Sequence, residues 1–166
     1  MIVDFFSQAC SETTNAQSFG ICDDVPNSRA YLDITDSTKW IAIVDNPKTY
    51  EVTFIGIDNC VQILRSNGET ESRCDGMVKY LDNIIFIELK ERDSAPTAWI
   101  EKGYNQLKVT INIFKNNYNI SDYASVKAHL VNSMRPNFPM SQISKIQRFF
   151  TETGVILDVK QLIELK

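Results

Sequence analysis

Long hydrophobic runs are missing from this sequence. Ile41–Val44 and Ile84–Ile87 are four residues each, against the roughly 20 that cross a bilayer, so no membrane span is expected. The opening segment Met1-Ile-Val-Asp-Phe-Phe has no basic flank and no long apolar stretch, so no export signal is read and a cytoplasmic location is expected. The four cysteines, Cys10, Cys22, Cys60 and Cys74, include no Cys-x-x-Cys pair. A chain of this length does not need a disulfide framework, and buried, reduced thiols are expected. A zinc site built from Cys10, Cys22 and His129 matches no ligand spacing. His129 is the only histidine and lies in an apolar run, which favours a packed structural role over Ser-His or Cys-His catalysis. Neither a Gly-x-Ser-x-Gly elbow nor a Walker-type glycine loop occurs, which excludes a P-loop. Internal repeats, low-complexity tracts and linkers are also missing.

What remains fits one domain over residues 1–166, long enough to bury its own core. The charge is unevenly placed. Residues 1–60 hold nine acids against three bases, and residues 61–166 twelve acids against fourteen bases, for a net charge of −4. This balance argues against a protein that coats nucleic acid nonspecifically, while leaving room for a local phosphate-gripping patch.

Residues 3–11 read as a short helix, and the Ser, Thr, Asn, Gly and Asp of Ser11–Pro26 read as loop. From Lys39 the pattern turns to short β-rich runs at Trp40–Val44, Glu51–Ile57, Val61–Leu64, Arg73–Tyr80 and Ile84–Lys90, an antiparallel meander with a tight connection at Leu81-Asp82-Asn83. Ile100, Tyr104, Leu107, Ile111 and Phe114 then recur in steps of four and three, which predicts a helix from Thr97 to about Phe114. A strand at Val126–Val131 follows, then a helix from Ser141 to its stop at Gly154, and a last strand at Val155–Val159. The order implies an α/β or α+β fold, a mixed sheet packed against helices.

The triplet acid-any-Lys occurs at Glu88-Leu89-Lys90, Asp158-Val159-Lys160 and Glu164-Leu165-Lys166, so context must select among them. Only the first ends a strongly apolar strand with an acid, Asp75, on the partner strand. Side chains alternate along a strand, so Phe86, Glu88 and Lys90 share one face and Ile85, Ile87 and Leu89 the other. If residues 80–83 close the hairpin, Lys79 pairs with Ile84 and Asp75 falls opposite Glu88. Two carboxylates there repel unless a hard cation such as Mg²⁺ or Mn²⁺ lies between them.

Through Arg73-Cys74-Asp75, Ile84-Ile-Phe-Ile-Glu88-Leu-Lys90 and the helix carrying Gln106-Leu107, the sequence resembles the PD-(D/E)XK superfamily of restriction-endonuclease-like nucleases, over roughly residues 51–131. The resemblance implies a mixed central sheet flanked by helices. It further implies that Asp75, Glu88 and the Leu89 carbonyl hold the divalent metal, that Lys90 orients or activates the attacking water, and that Gln106 stands beside the site. Cys74 replaces the nominal proline, and Thr110 stands where the RecB-like subgroup has tyrosine. The glutamate that many members add from an earlier helix is not carried over onto Glu12 or Glu51.

The expected function is metal-dependent hydrolysis of phosphodiester bonds in DNA, favoured over RNA, by an endonuclease or exonuclease that could act as a homodimer. Lys79, Arg92, Lys102 and Lys108, interleaved with Tyr80, Trp99 and Tyr104, are the candidate phosphate contacts. Against these stand plainer readings: a solvated charged strand end for Asp75, Glu88 and Lys90, and solubilising charge for the basic residues. The alternative function is a catalytically inactive module of this fold that binds nucleic acid or a protein partner.

Overall fold

A computed structural model describes residues 2–91, 98–134 and 142–166. Ten strands run in chain order: β1 (Ser11–Thr14), β2 (Ser18–Cys22), β3 (Tyr31–Asp33), β4 (Ala42–Asp45), β5 (Val52–Gly56), β6 (Gly76–Tyr80), β7 (Asn83–Lys90), β8 (Ser125–Asn132), β9 (Ile156–Val159) and β10 (Leu162–Glu164). Helix α1 (Ala98–Asn117) lies between β7 and β8, and α2 (Ile143–Thr153) between β8 and β9. The expected helix starts at Thr97 and Ser141, and Arg92, lie outside the described residues.

The strands form a six-stranded sheet, β1-β5-β6-β7-β8-β9, and a four-stranded sheet, β10-β4-β2-β3. Both are mixed. The larger is antiparallel from β1 to β7 and parallel from β7 to β9, while β10 joins β4 in parallel. Helices α1 and α2 cover one face of the larger sheet, and the smaller sheet covers the other. Ile84 and Phe86 of β7 pack with Leu107, Ile111 and Phe114 of α1, and Ile85, Ile87 and Leu89 pack with Phe19, Ile21 and Val44 of the smaller sheet. A strand covered on both faces reads as a near-continuous apolar run, which is the pattern of Ile84–Ile87.

The α+β class is as expected, but the smaller sheet is not: one face of the central sheet is covered by strands, where the expectation was a mixed central sheet flanked by helices. Ser11–Pro26, read as loop, supplies β1 and β2. Strand β1 is a polar edge whose backbone pairs with β5, so it carries no apolar alternation. Gly20 within β2 makes room for the Trp40 ring, which occupies the place of a Cβ. The expected N-terminal helix is only a single turn at Gln8–Cys10, and Val61–Leu64 contributes just a bridge between Leu64 and Thr70. Helix α2 ends where expected, at Gly154, whose φ of 75° closes the last turn as its N–H bonds to the Phe150 carbonyl.

The cysteine expectation needs correction. Cys10 and Cys60 form a disulfide with Cα atoms 5.8 Å apart across a sequence separation of 50, and only Cys22 and Cys74 are buried free thiols. Bonded to Cys60, Cys10 also has no thiolate to offer zinc. Among the described residues no helix is long and apolar enough to cross a membrane.

Candidate metal and phosphodiester site

The β6–β7 hairpin sets the site. Lys79 pairs with Ile84 and Gly76 with Ile87, and the same register carried one step further puts Asp75 beside Glu88. There the backbone ladder gives way to side chains. The Asp75 N–H donates to Glu88 Oε2 at 3.1 Å, and the Leu89 N–H donates to Asp75 Oδ2 at 2.7 Å. Lys90 Nζ lies 2.7 Å from Glu88 Oε1 and donates to Gln106 Oε1 at 2.9 Å. Gln106 Nε2 in turn donates to the Arg73 carbonyl at 3.3 Å. The glutamine therefore ties the lysine to the segment leading into Asp75, and touches neither carboxylate.

Helix α1 reaches this floor because Gly103 has no side chain: a Cβ there would run into Leu130 and come within 3.4 Å of the Glu88 Cγ. One turn beyond Gln106, the Thr110 hydroxyl donates to the Gln106 carbonyl and accepts from the Cys74 N–H, each at 2.8 Å. Thr110 thus holds the chain one residue before Asp75, a positioning role that its polar character alone did not announce.

Asp75, Glu88 and Lys90 are 8%, 1% and 8% exposed. Burial pushes the Asp75 carboxyl well above the usual aspartate range, and Glu88 pushes it further. Burial also raises Glu88, against the pull of Lys90. Removing an ion from water costs several kcal/mol, and here one ammonium serves two carboxylates.

An open cleft of about 410 Å³ lies against this group, lined by Asp75, Glu88, Leu89, Lys90 and Gln106, and rimmed by Asp23 and Glu91. Sequence reasoning singled out neither Glu91, directly after β7, nor Asp23, in the loop after β2. Asp23 reaches the cleft only because β2 pairs with β4 in the smaller sheet, and the Asp23-Asp24 doublet was its one local signal. Burial raises its carboxyl, with Asp58, Asp24 and Glu91 adding to the effect. Glu12 instead pairs with Arg29 at 2.8 Å, and Glu51 is exposed. Among the described residues no three His, Cys, Asp or Glu side chains converge as a metal cluster.

The basic candidates scatter. Lys79 donates to the Leu81 carbonyl at 2.9 Å, four residues and so roughly 13 Å along β6 from Asp75. Lys108 turns toward α2 and pairs with Glu152 at 3.0 Å. Lys102 is exposed, one helical turn before Gln106 and on the same side of α1. Trp99 is buried in the helix-side core. No family model, curated protein or solved structure matches the chain.

Proposed function

We propose that the chain is a divalent-metal-dependent phosphodiesterase acting on DNA, with its reaction centred on Asp75, Glu88 and Lys90. The observation that carries this reading is a buried pair of carboxylates beside one ammonium, with Asp75, Glu88 and Lys90 all lining an open cleft. The donors suit Mg²⁺ or Mn²⁺. These ions accept one or two carboxylates and keep several waters, and each carboxylate oxygen already in a hydrogen bond retains a second lone pair. In an extended strand a residue's N–H and C=O lie along the same edge. The Leu89 N–H bonds Asp75, so its carbonyl is turned to that edge as well and serves as a third donor.

A cation held there supplies Lewis acidity to a phosphoryl oxygen and lowers the pKa of water. The Lys90 ammonium, fixed between Glu88 and Gln106, stands where charge develops on the phosphoryl group and needs no reorganisation to meet it. Gln106 keeps that ammonium in place and is a positioning residue. Asp75 is held by the Leu89 amide, and Glu88 by the Asp75 amide, so neither needs an ordering step when metal binds.

The acidic rim of Asp23 and Glu91 favours a second reading, because it repels a polyanion unless cations screen it: a catalytically inactive module of this fold that binds a protein partner. Incubation with plasmid and single-stranded DNA in Mg²⁺, Mn²⁺ or chelator separates the two. Cleavage in metal that is lost in chelator and in Asp75→Asn and Glu88→Gln supports the first reading. Cleavage by either variant at the wild-type rate removes it.

A further inference from the structure

On the opposite face of the larger sheet lies a second polar feature, a cavity of about 70 Å³. Strand β8 builds one wall. Lys127 pairs with Ile85, and His129 with Ile87, and since both isoleucines face the smaller sheet, so do Lys127 and His129. Tyr80, from the end of β6, and Lys166, beyond β10, complete the cavity with Ser125 and Lys160. Lys90 pairs with Asn132, five residues past Lys127, which puts the cavity roughly 16 Å along the strand from the carboxylate cleft.

Its chemistry is that of an anion site. Tyr80 is 7% exposed, and its hydroxyl makes no hydrogen bond among the described residues. Among the described residues, the buried polar atom left without a partner in this lining is His129 Nδ1. The Ser125 hydroxyl is likewise unpaired, and Lys127 and Lys166 form no ion pair among the described residues. Two carboxylates also face the cavity, Asp158 and Glu164. Glu164 is taken by Lys160 at 3.3 Å, and Asp158 lies 3.5 Å from His129 Nε2. Three lysines against these two acids disfavour a cation. The volume admits only a few non-hydrogen atoms, since one water centre needs about 10–15 Å³. A single phosphate group fits, whereas a nucleobase does not.

We infer that this cavity binds one phosphate group, as inorganic phosphate or as the terminal phosphomonoester of a nucleic acid, with Lys127 and Lys166 supplying charge and Tyr80 and Ser125 supplying neutral donors. The inference is independent of the carboxylate site. Calorimetric titration of the whole chain at low salt tests it, with inorganic phosphate, a short 5′-phosphorylated oligonucleotide and its 5′-hydroxyl twin as probes. Saturable phosphate binding is expected, weakened by roughly tenfold or more in Lys127→Met with Lys166→Met, as losing charge-assisted hydrogen bonds implies. Tyr80→Phe, which keeps the ring and its packing, should weaken it less, and Lys79→Met not at all. Preference for the phosphorylated oligonucleotide over its twin assigns the site to nucleic-acid ends, while equal binding of the two oligonucleotides assigns it to free phosphate. No saturable binding of any probe at millimolar concentration, or equal affinity in the double lysine variant, overturns it.

Discussion

Lys90 is surrounded by groups that need it. Its ammonium is the cation that Glu88 touches and the donor that Gln106 orients. Lys90→Met therefore leaves two buried carboxylates without a counter-charge, and the chelated protein should lose about 3 kcal/mol or more of stability. Metal should restore part of that loss but not turnover, because transition-state charge is then unmet. Recovery of wild-type turnover in excess Mn²⁺ would show that the ammonium is only structural. Asp75 sets the pH dependence. Its folded-state pKa lies above its unfolded value, so its contribution to stability is complete below about pH 4 and is lost as pH rises through the folded value. In chelator, the stability of Asp75→Asn relative to wild type should grow as pH rises above about 4, and parallel pH profiles would contradict the repulsion. The pairing of Asp75 with Glu88 was legible because a period of two and a hairpin register decide it locally. That Gln106 binds Lys90, or that Asp23 joins the rim, depends on how layers stack and has no local signature.

Helix α1 and strand β7 meet at Gly103, and a methyl group there is a direct probe of that contact. Alanine favours a helix by about 1 kcal/mol over glycine, but overpacking against Leu130 and Glu88 costs about 1–3 kcal/mol. Gly103→Ala should lower the melting temperature and the cleavage rate together, whereas a more stable, fully active variant would show that the approach is not tight. Elements with strong periodicity were readable: β7 by its alternation, and α1 by the stripe from Ile100 to Phe114. Four strands were not. β1 is polar, β2 is broken by the glycine under Trp40, and β3 and β10 are three residues each. Val61–Leu64 had the composition of a strand, yet among the described residues it makes only the Leu64–Thr70 bridge. The pairing of β10 with β4 closes more than a hundred residues of chain and the Cys10–Cys60 bond closes 50, both beyond any local pattern.

Strands β2, β3 and β4 from the acidic first third of the chain form most of the smaller sheet, and the loop after β2 carries Asp23 to the mouth of the cleft, so few of the described cations lie near the proposed reaction centre. Lys102 is the exposed base beside Gln106. Lys102→Met should weaken DNA binding across sequences and flatten the salt dependence by about one unit, while Lys79→Met and Lys108→Met leave the slope unchanged. A slope that responds to all three alike would indicate diffuse attraction. If Asp75 and Glu88 together hold a divalent cation, thermal melting reads it in the intact molecule. Wild type and Asp75→Asn are melted in EDTA and in millimolar Mn²⁺. Mn²⁺ is expected to raise the wild-type midpoint through binding to the folded state. Asp75→Asn starts higher in EDTA, by on the order of 1 kcal/mol, and does not respond to Mn²⁺. Equal shifts in both proteins, or a shift in neither, would contradict it.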